Sequence, residues 1–75
     1  MSTREMVLTG DWQQVTTGTE SVTLQCKSAV FAICSSQSQP DGDSSYQIYR
    51  EVIVTPPTVA WVKSFVDKNK LVIIE

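Results

Sequence analysis

The sequence SVTLQC at residues 21–26 alternates polar with apolar side chains. Because successive side chains of a β-strand point to opposite faces, this alternation predicts a strand with Val22, Leu24 and Cys26 on one face. Such a strand typically belongs to an antiparallel sheet that covers a core on one side and meets water on the other. Residues 21–26 therefore predict a layered β-structure.

A second apolar segment follows at residues 30–35 and predicts a hairpin with the first. With a two-residue loop, Cys26 lies opposite Phe31 and Leu24 lies opposite Ile33, so that the two apolar faces merge. With a three-residue loop, the pairing shifts by one residue. We expect the first register, because it buries the bulkier side chains.

Turn signals and β-propensity predict further strands on both sides of this hairpin. They cover residues 6–8, 12–16, 46–54, 59–64 and 71–74, with a polar surface loop at residues 35–45. Arg50 interrupts the apolar face of its strand and could mark an edge or a bend. Pro56 and Pro57 mark a crossing between strands, because proline cannot sit inside a central sheet. The last two strands are expected to pair as a hairpin.

A helix over residues 58–70 is the alternative for part of this region. Val59, Val62, Phe65 and Val66 have helical spacing and follow the two prolines. Most of these residues are β-branched and lose side-chain freedom in a helix, so we keep the strand prediction.

Together the segments predict a single all-β domain over residues 1–75. The expected architecture is a compact β-sandwich or small barrel of about six short antiparallel strands. A chain of 75 residues has room for one modest core, and domains of this size often gain stability from oligomerisation.

The charge pattern argues against nucleic acid and membrane as partners. Six Lys and Arg residues stand against eight Asp and Glu residues, for a net charge of -2, and the cations are spread singly. Phosphate binding needs a basic patch, which this pattern does not predict. No apolar run approaches the ~20 residues that span a bilayer, and residues 1–10 lack the features of a signal peptide. We therefore expect a protein made in a cytoplasm.

The chain offers little for catalysis or for metal and cofactor binding. It contains no His, and its two cysteines form no C-x-x-C motif. Asp41 and Asp43 are a close carboxylate pair, but an Asp-Gly-Asp step behind a proline favours a turn. Cys26 and Cys34 are too few for a disulfide scaffold and are expected to be reduced and at least partly buried. We expect a non-enzyme with no catalytic residue, cofactor or metal.

Trp12 and Trp61 are the largest apolar side chains. In a small domain one of them is predicted to belong to the core, while the other covers an end of the fold or lies in a subunit contact, where Trp is enriched. Both are therefore candidate interface residues. Tyr46 and Tyr49 are three residues apart in a predicted strand, so they lie on opposite faces and do not form a sugar-binding platform.

Strand patterns follow one another from Trp12 to the end of the chain. The pieces in question are Trp12, Thr16-Thr17-Gly18, Val22-Thr23-Leu24-Gln25, Val30-Phe31-Ala32-Ile33, Pro40, Val59-Ala60-Trp61-Val62 and Leu71-Val72-Ile73-Ile74. Their order resembles that of small phage-encoded β-rich virion structural proteins. The sequence departs from that pattern at Cys26, where a turn-forming residue is more usual. The resemblance concerns strand patterns and transfers no catalytic or binding residue.

This resemblance implies a structural role in a phage virion, as a capsid decoration or stabilisation protein or as a tail-associated module. The implied partners are other virion proteins, and such proteins often act as trimers, so a homo-oligomer is expected. The implied location is the virion, after synthesis in the host cytoplasm. Two alternatives stay open: a receptor- or glycan-binding module of a tail fibre, and a small phage-encoded inhibitor of a host protein.

Overall fold

The computed structural model describes residues 2–75, and this range contains eight β-strands and no helix. The strands are β1 (Thr3–Leu8), β2 (Gln13–Gln14), β3 (Val22–Cys26), β4 (Phe31–Ser35), β5 (Gln47–Tyr49), β6 (Glu51–Val54), β7 (Ala60–Ser64) and β8 (Asn69–Ile74). The prediction of an all-β fold is confirmed, with more strands than the expected number of about six. The helix alternative over residues 58–70 is wrong, because that segment contains β7, a turn and the start of β8.

The strands form two antiparallel sheets of four strands each. The first sheet has the order β1-β8-β3-β6, and the second has the order β2-β7-β4-β5. Buried side chains from both sheets meet in one core, which includes Leu24 and Ile73 from the first sheet and Phe31 and Val62 from the second. The two sheets do not close on each other, so the barrel alternative is wrong.

The alternation in residues 21–26 has the predicted consequence in β3. Val22, Leu24 and Cys26 are buried, whereas Thr23 and Gln25 are only partly covered. β3 is an interior strand, because it pairs with β6 on one side and with β8 on the other. The prediction of a strand with one core face is therefore confirmed.

The predicted hairpins are wrong, because the strands concerned lie in opposite sheets. β4 pairs with β5 and β7 instead of β3, and β8 pairs with β1 and β3 instead of β7. Leu24 and Ile33 both contribute to the core but approach it from opposite sheets. An apolar strand face can be buried beside a neighbour or against a facing sheet, and the sequence alternation is the same in both cases.

The predicted long strand over residues 46–54 breaks at Arg50. Its first half, β5, belongs to the second sheet, and its second half, β6, belongs to the first. The bend is held by two contacts: the Arg50 guanidinium donates to the Lys27 carbonyl at 2.9 Å, and the Cys26 amide donates to the Arg50 carbonyl at 2.9 Å. The interpretation of Arg50 as a bend is confirmed, while the uninterrupted strand is wrong.

The chain crosses back to the second sheet at Pro56 and Pro57, as predicted. Thr16 fixes this crossing from the side. Its buried hydroxyl donates to the Thr58 carbonyl at 2.8 Å and accepts from the Ala60 amide at 2.9 Å. Each buried polar group of this contact therefore has a partner, which a buried crossing requires.

Both ends of the described chain lie side by side in the first sheet. β1 pairs with β8 along its full length, and the backbones of Ser2 and Glu75 exchange two hydrogen bonds of 2.9 Å. An ion pair of 2.9 Å between Arg4 and Glu75 lies beside this pairing. It is exposed, so its contribution to stability is small.

Candidate interaction face

The strand β7 directs two kinds of side chain to its two faces. Ala60, Val62 and Ser64 are buried on the inner side, whereas Trp61 and Lys63 alternate with them and lie on the outer side of the second sheet. The outer side extends to the neighbouring strand β4, because the register places Cys34 beside Trp61 and Ala32 beside Lys63. The same register therefore builds an inner and an outer surface.

The outer surface is unusually apolar for a sheet face that meets water. On β5, Ile48 lies beside Ala32 of β4, and Ala32 is completely buried. Ile48 is 54 % exposed, Phe65 is 53 % exposed and Tyr46 is 42 % exposed. Contiguous exposed apolar side chains of this kind are typical of interaction sites.

Three aromatic rings surround the ammonium group of Lys63. The Nζ atom lies 4.8 Å from the ring centroid of Trp12, 5.3 Å from that of Tyr46 and 6.0 Å from that of Phe65. Tyr46 also packs edge-on against Trp12, with 6.2 Å between the ring centroids, and in a tilted arrangement against Phe65, with 5.7 Å between the centroids. These distances are within the range of cation–π and aromatic pair contacts.

We call this surface the aromatic face. It consists of Trp12, Tyr46, Ile48, Trp61, Lys63 and Phe65. Its members come from β5, β7 and the segments that flank β2, β5 and β7, so the fold collects them from distant parts of the chain.

The structure places both tryptophans singled out in the sequence on this face. Trp12 is 9 % exposed and lies outside the main core cluster, while Trp61 is half-buried. The Trp61 indole donates to the Ser36 carbonyl at 2.9 Å. The Trp12 indole nitrogen is buried and has no hydrogen-bond partner among residues 2–75. A role of either ring in a subunit contact stays a prediction.

The prediction from the sequence does not include three further members of this face, which are Lys63, Phe65 and Ile48. For Lys63 a signal existed: the alternation of residues 60–64 already puts it on the same face as Trp61. The proximity of Phe65 and Tyr46 had no sequence signal, because it depends on which strands are neighbours in the sheet.

The prediction that Tyr46 and Tyr49 lie on opposite faces agrees with the structure. Tyr46 belongs to the aromatic face, whereas Tyr49 lines a crevice of about 180 Å³ between β5 and β6. The crevice walls mix apolar side chains such as Val54 with polar ones such as Gln47 and Thr58. It offers no charged group to orient a ligand.

The two cysteines differ in burial. Cys26 is completely buried and Cys34 is half-buried, and both thiols are free. Burial raises the pKa of the Cys26 thiol above its usual value, and a hydrogen bond with the Asn69 side chain opposes this effect. A thiol that is buried and resists ionisation is a poor nucleophile. Both cysteines are thus at least partly buried, as expected.

Asp41 and Asp43 lie in the predicted loop and form a turn. The Asp41 carboxylate accepts from the Asp43 amide at 2.9 Å and from the Ser44 hydroxyl at 3.2 Å. One of its oxygens, Oδ1, is thus used by the turn itself. Within residues 2–75, no cluster of three or more His, Cys, Asp or Glu side chains is placed to hold a metal ion. The described residues contain no helix that is long and apolar enough to cross a membrane.

Comparisons with protein-family models, with curated proteins and with solved structures find no match to this chain.

Proposed function

We propose that this chain is a non-enzymatic assembly protein that docks on another protein subunit through its aromatic face. The observation that supports this is the exposed cluster of Tyr46, Ile48 and Phe65 on the outer side of the second sheet. The resemblance to phage virion structural proteins supplies the proposed setting. In it the chain is a β-sandwich module that binds other virion proteins, at the capsid or at the tail.

A comparison of the two outer surfaces favours the second sheet as the docking side. On the first sheet, the exposed apolar residues Val7 and Ile53 lie on the two opposite edge strands, β1 and β6. Between them, one row of outward residues runs Glu5, Val72, Gln25 and Glu51, so charged and polar groups are interspersed. On the second sheet, the corresponding positions include Ile48, Ala32 and Lys63. Interface centres are depleted of Glu and enriched in aromatic residues, as the aromatic face is.

The aromatic face also has the residue types that contribute most to binding energy. Burial of apolar surface contributes roughly 25 cal/mol per Å², and aromatic side chains bury large areas with few rotatable bonds. Trp61 is held in place by its hydrogen bond to Ser36, so little conformational freedom is lost when a partner covers it. We expect Trp61 and Tyr46 to be the main energetic contacts.

The first test is binding of the purified chain to particles of the phage that encodes it, assembled without the chain. Ile48→Ser should weaken binding by about tenfold, since it removes roughly 1.5 kcal/mol or more of apolar burial at the contact. The matched control is Ile53→Ser. Ile53 is 70 % exposed on the outer side of β6, in the other sheet, and its loss should leave binding unchanged.

Thermal melts of both variants check that the fold is intact, as expected for exposed positions. Equal binding by Ile48→Ser and the unchanged chain would refute docking through the aromatic face. If the chain ignores particles but binds on a glycan array, the tail-fibre alternative is correct instead. Binding to a purified host protein alone would favour the inhibitor alternative, and sedimentation of the free chain tests the expected trimer.

A further inference from the structure

Lys63 is the single charged residue of the aromatic face, and it lies among three rings. Its Nζ atom is between 4.8 Å and 6.0 Å from their centroids, so the ring faces draw the ammonium group inward. Its neighbour on β4 is Ala32, which is apolar. The charge is therefore surrounded by apolar groups at the place where a partner would dock.

No carboxylate among residues 2–75 forms an ion pair with this ammonium group. The ion pair found within residues 2–75 joins Arg4 and Glu75, in the other sheet. Cation–π contacts stabilise the ammonium group but leave its N–H donors without a hydrogen-bond acceptor. A wholly apolar partner would bury an unpaired charge, which is strongly unfavourable. The partner must therefore supply an acceptor at this point.

We infer that the partner of the aromatic face presents an Asp or Glu carboxylate to Lys63, with apolar side chains around it. This inference rests on the proposed function and names the chemistry of its partner. The carboxylate would accept a charge-assisted hydrogen bond from Nζ, while its apolar neighbours cover Tyr46, Ile48 and Phe65. Charge complementarity thus sets the register of docking.

The same charge disfavours other occupants of the face. A second copy docked face to face offers Lys63 no carboxylate and adds a second cation to the contact, and like charges repel. A cationic ligand finds the space among the three rings already taken by the chain's own cation. A nucleic acid needs several cations along its phosphates, and the aromatic face has one.

The experiment is selection from a library of random linear peptides on five immobilised forms of the whole chain. These are the unchanged chain, Lys63→Met, Lys63→Glu, Lys63→Arg and Ile48→Ser. Met keeps an unbranched apolar stem without the charge, so it separates electrostatics from packing. Lys63→Arg is added as the conservative form that keeps the charge. Thermal melts confirm that each form is folded.

The unchanged chain and Lys63→Arg should enrich peptides that place Asp or Glu among apolar residues. Lys63→Met should lose the acidic preference and keep the apolar one, and Lys63→Glu should select Lys or Arg at the same point. Acidic peptides selected on the unchanged chain should bind Lys63→Met at least tenfold more weakly. Their affinity should fall with salt only where the cation is present.

Two outcomes separate the failure of this inference from failure of the proposed function. If Lys63→Met selects as many acidic peptides as the unchanged chain, while Ile48→Ser loses selection, the inference is wrong and docking through the face survives. If Ile48→Ser selects the same peptides as the unchanged chain, the aromatic face is not the docking surface, and both proposals are wrong.

Discussion

Single residues fix the crossings between the two sheets of this molecule. Gly18 is the clearest case, because its backbone has φ 106° and lies against the turn that follows β6. Residues other than glycine rarely adopt this backbone conformation. In addition, a Cβ atom at this position would be 3.2 Å from the Pro57 carbonyl oxygen. Glycine at this position therefore allows the close approach of two chain segments.

Gly18→Ala should lower the free energy of unfolding by about 1–3 kcal/mol, because it combines backbone strain with a close contact. Gly10→Ala is the matched control, since no atom lies within 4 Å of the added Cβ and its φ is not positive. It should change stability by less than about 0.5 kcal/mol. Chemical denaturation measures both, and equal effects would show that the crossing tolerates a side chain.

Cys26 should make stability depend on alkaline pH. Burial raises the pKa of its thiol in the folded state, with the hydrogen bond from Asn69 acting against it. A raised pKa means that the folded state holds the proton more tightly than the unfolded one. The stabilisation is complete below the ordinary thiol pKa of about 8.5 and is lost as the pH rises through the raised value.

Denaturant melts between about pH 7 and pH 10 measure this loss. The unchanged chain should lose stability more steeply than Cys26→Ala above about pH 8.5, where the unfolded thiol ionises. The two proteins share every other titrating group, so the difference in slope reports Cys26. Parallel curves would mean that the folded thiol ionises as easily as the unfolded one.

At the scale of the elements, β3 is the strand on which the first sheet depends. It pairs with β6 and β8, and Leu24 at its centre is completely buried. Leu24→Ala should cost about 2–5 kcal/mol through lost burial and a cavity. Thr23→Ala, on the other face of the same strand, should cost less than about 1 kcal/mol. Similar losses in denaturant melts would mean that β3 does not present Leu24 to the core.

The strands show how far the sequence could be interpreted. The alternation of residues 21–26 predicted the inner and outer faces of β3, because it depends only on local backbone geometry. Strand pairing was wrong for the hairpins, because residues 27–30 and 65–68 lead into the opposite sheet. Arg50 gave a usable signal for the bend, whereas nothing local distinguishes a crossing link from a hairpin turn.

The candidate site was predictable to a similar extent. Residue type alone singled out Trp12 and Trp61, since large aromatic side chains are common in interfaces. Their neighbours Tyr46 and Phe65 could not be added, because the cluster exists only once β5 and β7 flank β4. The sequence shows which side chains are aromatic, but which of them lie close together depends on the order of the strands in the sheet.

On the scale of the whole molecule, the two sheets are interwoven along the chain. β4 and β5 are the one consecutive pair of strands among residues 2–75 that lie side by side in a sheet. Nearly every other pairing joins distant segments, as β1 does with β8. Chains dominated by such distant contacts fold slowly, because long loops must close before the contacts form.

The position of β8 between β1 and β3 has a consequence for biosynthesis. The ribosome makes β1 and β3 long before β8, so both strands wait without the partner that lies between them. The strands of the second sheet are all complete by residue 64 and can associate first. Until β8 emerges, the edges of β1 and β3 that will face it are open to pairing with other nascent chains on the same message. The last strand to be made thus covers both of these edges at once.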